Sequence, residues 1–427
     1  MTNKNELNRT VTDRRLRDAA AQPLVTPPID PVRVGFVGLG GMGSNHIRNL
    51  LRIEGVQIKA VCDIVEDRVI QTQNLVEKAG PSRPKGYFHG DFERMCEEED
   101  LDLVYTATPW EWHTPVCVAA MRTGKHAATE VPAAVTVDEC WQLVETAEKH
   151  KRHCLMLENC CYGRNEMMIL NMIRKGLLGE LLHAECGYLH DLRAGKFSRY
   201  EEGWRLAHSI KRNGNLYPTH GLGPVAQCMN INRGDQFDYL VSMSSISRGL
   251  NLYAAKHFGS DDPRAKQKYA LGDINVSLIR TVNDLTITVV HDTSSPRPYS
   301  RINLVQGTMG IVQCYPEAIY IEERSPLDEW EPLEKYAPEF EHPLWKAMGE
   351  RAKGAGHGGM DFLEDYRLIQ CLREGTSTDM NVYDAAAWSA VSELSEISVA
   401  NGSRPVDFPD FTRGRWKTYP QLGIIGE

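Results

Sequence analysis

The feature that most constrains the fold of this chain is a short apolar segment that runs into a glycine-rich turn. Residues 32–37 (V-R-V-G-F-V) are typical of a buried strand, and residues 38–43 (G-L-G-G-M-G) match the pattern G-x-G-x-x-G. A helix is predicted directly afterwards, over residues 45–51. A strand, a glycine turn and a helix in this order form the phosphate-binding unit of a doubly wound α/β fold.

The glycines and a later carboxylate predict which dinucleotide such a unit binds. Gly38 permits the tight turn, Gly40 lets a pyrophosphate approach the backbone, and Gly43 lets the helix and the strand pack closely. Asp63 ends the second predicted strand, where a carboxylate accepts hydrogen bonds from the adenosine ribose and repels a 2′-phosphate. NAD is therefore the predicted cofactor rather than NADP, for which Arg68 is the alternative partner. A glycine turn that binds no nucleotide is the other alternative.

Short strands and helices alternate up to about residue 155, which predicts a parallel sheet with helices on both faces. The further strands predicted in this part cover residues 58–63, 101–106 and 126–130, and the helices cover residues 114–123 and 137–150. Beyond this point, long apolar stretches without regular crossover helices are typical of a largely antiparallel sheet. The strands predicted there cover residues 181–192, 237–246, 274–291, 302–305 and 311–321, and the helices cover residues 166–175, 361–374 and 382–400.

We therefore predict an α/β Rossmann domain with a doubly wound parallel sheet, followed by a C-terminal α+β domain with a large, mostly antiparallel open sheet. The predicted boundaries are an N-terminal arm over residues 1–30, an NAD-binding domain over residues 31–155 and a substrate-binding domain with its tail over residues 156–427. Because an open sheet exposes a face that can take a partner, we also expect a homo-oligomer.

Composition narrows the class of partner. The chain has 427 residues, with 48 Lys and Arg against 57 Asp and Glu, and its formal charge of -9 argues against a nucleic-acid binder. No apolar run reaches the roughly 20 residues that a membrane-spanning helix needs. The 11 cysteines are scattered without a C-x-x-C pair, which favours buried, reduced thiols and a cytoplasmic protein. No apolar stretch follows Arg14-Arg15, so we expect no export signal, and we expect no metal site.

Six short motifs add a more specific signal than the glycine turn alone. They are W-E-W-H at 110–113, E-V-P-A-A at 130–134, E-N-C-C-Y at 158–162, Y-L-H-D-L-R at 188–193, Y-P-T-H at 217–220 and H-G-G-M-D at 357–361. Together they resemble glycoside hydrolase family 109, which contains NAD-dependent α-N-acetylgalactosaminidases and lies within the glucose–fructose oxidoreductase and inositol dehydrogenase superfamily. Dehydrogenases of that superfamily usually carry a lysine where this chain has Val131 and an aspartate where it has Pro218, so an ordinary dehydrogenase proton relay is not expected.

The resemblance also implies the residues of the site. Besides the glycines named above, the residues that it implies for NAD are Met42, Gly43, Asp63, Trp110, Glu111, Trp112, His113, Glu130, Val131, Asn159 and Tyr217. The residues that it implies for the sugar are Tyr188, Arg205, Tyr217, Pro218, Thr219, His220 and Tyr299. Without the resemblance, His220 is a histidine satisfied in the first turn of a helix, the tyrosines pack, and Arg205 forms a surface ion pair.

Most glycosidases use a pair of carboxylates, and we do not identify such a pair in this sequence. The resemblance implies a redox route that does not need one. NAD oxidises carbon 3 of a terminal N-acetylgalactosamine, the group on carbon 1 leaves by elimination, water adds, and carbon 3 is reduced again. His220 is the predicted catalytic base for the carbon-3 hydroxyl, and Tyr188 and Tyr217 are predicted to be a second base or enolate donors. Two alternatives stay open: an NAD-dependent sugar dehydrogenase and a non-catalytic NAD-binding scaffold or sensor.

Overall fold

The computed structural model describes residues 23–80, 82–198 and 203–425, and the chain forms two β-sheets over this range. The strands of the first sheet are β1 (Val32–Val37), β2 (Val56–Asp63), β3 (Lys85–Phe88), β4 (Leu103–Thr106), β5 (His126–Thr129) and β6 (Cys154–Met156). They are all parallel, in the order β3-β2-β1-β4-β5-β6. This order is that of a dinucleotide-binding sheet whose switch point lies between β1 and β4, so the predicted Rossmann fold is confirmed.

Helices connect these strands. They are α1 (Gly41–Leu50), α2 (Glu66–Ala79), α3 (Phe92–Glu98), α4 (His113–Arg122) and α5 (Val137–His150). Helix α1 begins at Gly41, four residues before the predicted start, because the glycine turn itself forms the first turn of the helix. The free amides of that first turn therefore belong to the glycine-rich segment, as phosphate binding requires.

The second sheet is mostly antiparallel, as predicted. Its strands are β7 (Leu181–Leu189), β8 (Phe237–Ser244), β9 (Ile274–Thr281), β10 (Thr286–Asp292), β11 (Leu304–Gly307), β12 (Gly310–Cys314), β13 (Glu317–Ile321) and β14 (Val406–Asp407). They lie in the order β13-β12-β11-β7-β10-β9-β8-β14, with β7 and β10 parallel and the other neighbours antiparallel.

Three of the predicted strand ranges either contain a chain reversal or differ from the observed strand by three residues at one end. Residues 274–291 form the hairpin of β9 and β10, which turns back at residues 282–285 with Asp284 in a left-handed conformation at φ 67°. Residues 311–321 form the hairpin of β12 and β13. The strand predicted over 181–192 ends at Leu189. In the first hairpin, Val282 and Leu285 lie on either side of Asn283-Asp284, so the apolar pattern alone does not reveal the reversal.

The remaining helices belong to the second part of the chain. They are α6 (Arg164–Arg174), α7 (Arg193–Phe197), α8 (Gly203–Lys211), α9 (Thr219–Cys228), α10 (Gly249–Phe258), α11 (Pro263–Lys266), α12 (Ala337–Phe340), α13 (Pro343–Ala352), α14 (Met360–Glu374) and α15 (Val382–Ala400). Helix α15 packs against both α5 and β8, and α14 packs against α1. Two helices from the end of the chain thus join the two sheets into one body.

The termini extend this packing. Residues 1–22, which include most of the predicted arm and Arg14-Arg15, lie outside the described residues. The following segment lies along the end of α14, where the amides of Thr26 and Ile29 donate to backbone carbonyls at 3.3 and 3.1 Å. The predicted domain boundaries stay predictions. Within the described chain, no helix combines the length and the apolar character needed to cross a bilayer.

Candidate functional site

A cavity of about 1010 Å³ lies at the carboxyl ends of β1, β2, β4 and β5, which is where ligands of open α/β sheets bind. Loops that follow these strands form one wall, and side chains from the second part of the chain form the other. The predicted site residues that line it are Gly38, Gly40, Met42, Asp63, Trp110, Trp112, His113, Glu130, Val131, Arg205 and Tyr217.

Two glycines of the turn have different surroundings: Gly43 lies in close contact with the backbone, and Gly40 faces open space. A Cβ atom on Gly43 would lie 2.0 Å from the carbonyl oxygen of Gly38, so helix α1 and strand β1 approach only because that side chain is missing. A Cβ on Gly40 would meet only the end of Arg68, at 3.9 Å. The buried carboxylate of Asp63 accepts a hydrogen bond from the backbone amide of Leu39 at 2.7 Å, and this bond connects the end of β2 to the glycine turn. This cradle fits a dinucleotide.

Two further loops at the cavity are joined by His113. Its Nδ1 lies 2.7 Å from the carbonyl oxygen of Pro132 and its Nε2 lies 2.8 Å from that of Thr108. Burial lowers the pKa of His113 and outweighs the two carbonyl oxygens, which raise it. The indole of Trp110 is also buried, and nothing in the described part of the chain accepts a hydrogen bond from its Nε1.

Glu111 and Trp112 are placed differently from their neighbours. The Glu111 side chain is half exposed and lies 3.6 Å from Nε2 of His208, and it is not part of the cavity lining described here. The ring of Trp112 is 49% exposed and meets Phe92 edge to face. Only Trp112 of these two therefore borders the cavity.

Glu130 is held by a buried histidine that the sequence analysis missed. His46 on α1 places Nε2 at 2.8 Å from Oε1 of Glu130 and Nδ1 at 3.0 Å from both carboxylate oxygens of Asp365 on α14. Burial alone would lower the pKa of His46, but Asp365 and Glu130 together raise it well above its ordinary value. A cationic His46 thus fixes Glu130 at the cavity wall.

Asn159 is held by a second carboxylate of the same helix. Its Nδ2 donates to Oδ1 of Asp361 at 2.7 Å, and Asn45 on α1 donates to Oδ2 of Asp361 at the same distance. The Nδ1 atom of His357, in the glycine-rich segment before α14, lies 2.9 Å from Oδ2 of Asp361. Asp361 and Asp365 are one helical turn apart, so one face of α14 organises the cofactor side of the site.

The residues predicted for the sugar come together in an aromatic cluster, defined here as Tyr188, Tyr217, His220 and Tyr299. The Tyr188 ring centroid lies 4.7 Å from that of Tyr217, 5.4 Å from that of His220 and 6.0 Å from that of Tyr299. The guanidinium of Arg205 lies 4.6 Å from the centroid of the Tyr217 ring. Since Tyr217 also lines the cavity, the aromatic cluster adjoins the nucleotide side of the site.

Two glycines let α9 carry His220 into this cluster. A Cβ on Gly221 would lie 2.3 Å from the backbone nitrogen of Gly187 in β7, and a Cβ on Gly223 would lie 2.8 Å from Cγ of Glu158. The helix therefore lies directly on the strand and on the Glu158 side chain. Pro218 immediately precedes α9 and Thr219, its first residue, is fully buried, so neither exposes a side-chain donor to the cavity.

His220 forms its closest polar contact with Glu158, which lies in the motif E-N-C-C-Y and is not among the site residues that the resemblance implies. Nδ1 of His220 lies 2.7 Å from Oε1 of Glu158, and Nε2 lies 3.4 Å from the hydroxyl of Tyr217. Burial raises the pKa of Glu158, but His220 and the amide of Cys160 outweigh it, and the pKa is lowered overall. The carboxylate is therefore charged at neutral pH.

Glu158, Cys160 and His220 bring three potential metal-ligating atoms within 4.8 Å of one another. Their geometry fits a hydrogen bond better than an ion, because ligand atoms on a tetrahedral ion lie more than about 3 Å apart. Burial also raises the pKa of the Cys160 thiol well above its ordinary value, which disfavours the thiolate that a metal needs. The predicted absence of a metal stays a prediction.

Two family models match this chain and divide it at nearly the same place. The model described as an oxidoreductase family with an NAD-binding Rossmann fold matches residues 32–158, and the model described as the glycosyl hydrolase 109 C-terminal domain matches residues 162–418. The chain therefore carries an NAD-binding domain, and the predicted cofactor is confirmed.

Similar proteins agree with these models. A glycosyl hydrolase family 109 protein of Solibacter usitatus is 56% identical over 92% of this chain and 90% of its own length, and one of Shewanella pealeana is 49% identical over 94% and 90%. Among solved structures, a levoglucosan dehydrogenase in complex with NADH and L-sorbose has a TM-score of 0.70 at 18% identity, with 89% of this chain and 100% of that chain covered. That likeness shows the shared fold. The chain belongs to glycosyl hydrolase family 109.

Proposed function

We propose that this member of the family is an NAD-dependent glycosidase that hydrolyses terminal α-N-acetylgalactosamine. The observation that carries the proposal is the position of His220, which is hydrogen-bonded to the charged Glu158 on one side and faces Tyr217, a lining residue of the nucleotide cavity, on the other. The apolar Val131 lines the same cavity where sugar dehydrogenases of the superfamily usually carry a lysine. The names of the Solibacter and Shewanella relatives also support a hydrolase.

The chain's own residues would prepare the sugar for elimination. Bound NAD supplies the hydride acceptor for carbon 3 and returns the hydride at the end of the cycle. His220 takes the proton of the carbon-3 hydroxyl through Nε2, since Nδ1 is used by Glu158. The resulting ketone acidifies the hydrogen on carbon 2, so that a modest base removes it and the group on carbon 1 leaves. Water would then add as a hydroxyl at carbon 1 and a proton at carbon 2, which gives the 3-keto sugar. Reduction of carbon 3, with the proton of His220 returned to its oxygen, would give the hydrolysed sugar.

The two tyrosines would serve different steps. Burial raises the pKa of Tyr217 well above its ordinary value despite the nearby Arg205, so Tyr217 stays protonated and suits a hydrogen-bond donor to the developing enolate. The hydroxyl of Tyr188 lies 3.1 Å from Nδ1 of His190, which can receive its proton, so Tyr188 suits the carbon-2 base. Arg205 and Tyr299 would hold the ring hydroxyls or the acetamido group, while Thr219 and Pro218 would fix the start of α9.

A hydrolysis assay in D₂O tests this function. With a chromogenic α-N-acetylgalactosaminide, we expect release of the phenol without accumulation of NADH, and deuterium at carbon 2 of the sugar product, because the carbon-2 hydrogen exchanges with solvent during the cycle. Mass spectrometry and NMR of the product measure the label. A glycosidase with a carboxylate pair is the control, and it should incorporate no deuterium.

Each other outcome of this assay favours a different function. Steady growth of absorbance from NADH without phenol release would favour a net sugar dehydrogenase. Binding of NAD with neither reaction would favour a scaffold or sensor. Phenol release without deuterium at carbon 2 would contradict the elimination route while keeping a glycosidase.

We also propose that the protein forms a homo-oligomer through the open face of its second sheet. On β9, Ile274, Val276 and Leu278 alternate at 40%, 43% and 48% exposure, and Met243 on β8, opposite Val276, is 65% exposed. The same apolar patch on a second copy can cover this one by twofold symmetry.

Lysine substitutions test this interface by light scattering after size-exclusion chromatography. We expect the wild-type mass to be a multiple of 48.1 kDa, and the double variant Val276→Lys/Leu278→Lys to have the monomer mass, because buried unpaired charges oppose association. The control is Leu327→Lys, at an apolar side chain that is 82% exposed in the loop after β13. A monomeric wild type, or an unchanged double variant, would contradict the interface.

We propose a cytoplasmic location for the same protein. All 11 cysteines are buried and free, and burial raises the pKa of several of these thiols, for example to about 12 for Cys62 and Cys96. Buried, protonated thiols are typical of proteins from reducing compartments.

A further inference from the structure

Glu158 is the most deeply buried carboxylate that touches the aromatic cluster. It is fully buried after β6, at the start of a short 3-10 helix over Asn159–Tyr162. Its Oε1 accepts the amide of Cys160 at 3.2 Å and lies 2.7 Å from Nδ1 of His220. A charged carboxylate in such a place is costly unless its partners hold it. Both of these partners contact Oε1, whereas Oε2 has no hydrogen-bond partner in the described residues.

Helix α9 packs closely against the side chain of Glu158. Gly223 lies one helical turn after His220, and a Cβ there would lie 2.8 Å from Cγ of Glu158 and 3.0 Å from Sγ of Cys161. Any side chain at Gly223 would therefore push Glu158 away from the ring. Helix α9 thus contains His220 and also Gly223, whose missing side chain leaves the space that Glu158 occupies.

We infer that Glu158 is a positioning residue, whose carboxylate holds the proton of His220 on Nδ1 and leaves the lone pair of Nε2 free for the carbon-3 hydroxyl. This inference rests on the proposed function, in which His220 is the base. A carboxylate that accepts from one imidazole nitrogen selects the tautomer and the ring orientation and stabilises the imidazolium formed when the other nitrogen takes a proton.

Other charged and titratable groups face this pair, and none replaces Glu158. Tyr188 from β7 and Tyr217 before α9 contact the ring, and the thiols of Cys160 and Cys161 lie beside the carboxylate. Further away, Arg301 lowers and Glu166 raises the pKa of Cys160. Glu364 raises the pKa of Cys161. Arg205 lowers and Glu130 raises the pKa of Tyr217. In the described residues, Glu158 is the carboxylate within hydrogen-bond distance of His220.

The test compares the steady-state kinetics of the NAD-loaded enzyme. In Glu158→Gln, we expect kcat to fall about 100-fold. We expect KM to change much less, because the fully buried Glu158 acts through His220. Glu158→Asp keeps a carboxylate acceptor beside the ring, so we expect it to restore part of the lost kcat.

The matched control is Glu331→Gln. Glu331 is also buried, and it accepts a hydrogen bond from Tyr336 at 2.9 Å, far along the chain from the cavity. We expect it to leave both kcat and KM unchanged. A Glu158→Gln enzyme that keeps the wild-type kcat would overturn the inference.

A spectrum of the resting enzyme separates this inference from the proposed function. With ¹⁵N-labelled histidine, and with His220→Gln to assign the signal, we expect the proton of the neutral ring on Nδ1 in the wild type and a mixture of tautomers in Glu158→Gln. This measurement needs neither turnover nor a particular substrate. A proton on Nε2 would overturn the inference, whereas a proton on Nδ1 in an enzyme that cleaves no α-N-acetylgalactosaminide would contradict the proposed function alone.

Discussion

Replacing His220 with alanine is expected to lower kcat by at least about 1000-fold while NAD stays bound. The imidazole of His220 lies between Glu158 and Tyr217, whereas the glycine turn is held by Asp63, which accepts a hydrogen bond from the amide of Leu39. The contacts of Glu130 and Asn159 run instead to His46 and Asp361 on other helices. Steady-state hydrolysis of a chromogenic α-N-acetylgalactosaminide gives kcat, and a fluorescence titration gives the affinity for NAD.

The control for this variant is His183→Ala on β7. His183 lies near the start of the strand, where its Nδ1 is 2.8 Å from the hydroxyl of Thr286, and it does not contact the aromatic cluster in the described structure. We expect it to keep wild-type turnover. If His220→Ala retained more than a tenth of the wild-type kcat, another residue would have to be the base for the carbon-3 hydroxyl.

The second large effect is expected at Gly43. In Gly43→Ala, a Cβ would lie 2.0 Å from the carbonyl oxygen of Gly38, and backbone atoms cannot move aside as the end of a side chain can. The glycine turn must therefore open, and we expect the affinity for NAD to fall at least about 100-fold, which is roughly 2.7 kcal/mol. Hydrolysis should fall with it and should return in part at high NAD.

The matched control lies two residues away in the same turn. A Cβ on Gly41 would meet nothing within 4 Å, so Gly41→Ala should bind NAD normally. Isothermal titration with NAD and the hydrolysis assay measure both variants. If Gly43→Ala lost its NAD and still cleaved the substrate at the wild-type rate, the redox route would be refuted, because hydrolysis would then be independent of the cofactor.

The sequence predicted best those elements whose ends carry a local signal. Helix α5 has the predicted bounds because Thr136 and Glu139 form a capping box at its start, and α15 does so because Asn381 and Asp384 do the same. The hairpin of β9 and β10 was missed because apolar residues flank its turn closely on both sides. Periodicity reports which face a residue takes, and it does not report where a chain reverses.

In the candidate site, the sequence supplied the groups that short motifs carry together, and it missed those that meet only in space. Tyr217 and His220 lie in one tetrapeptide, so the motif that contains one also contains the other. Glu158 is 62 residues away from His220, and Asp365 is 319 residues away from His46. No spacing rule links such pairs, because helix packing brings them together.

The separation of 319 residues between His46 and Asp365 also has a consequence for the synthesis of the protein. A growing chain completes β1 to β6 and the glycine turn long before the ribosome adds α14, and until then Asn45 and His46 lack the carboxylates that meet them in the finished protein. The contacts of Asn45 and His46 with Asp361 and Asp365 can therefore form only when most of the chain has been synthesised. We therefore expect the growing chain to take up NAD late, after Asp361 and Asp365 have been added.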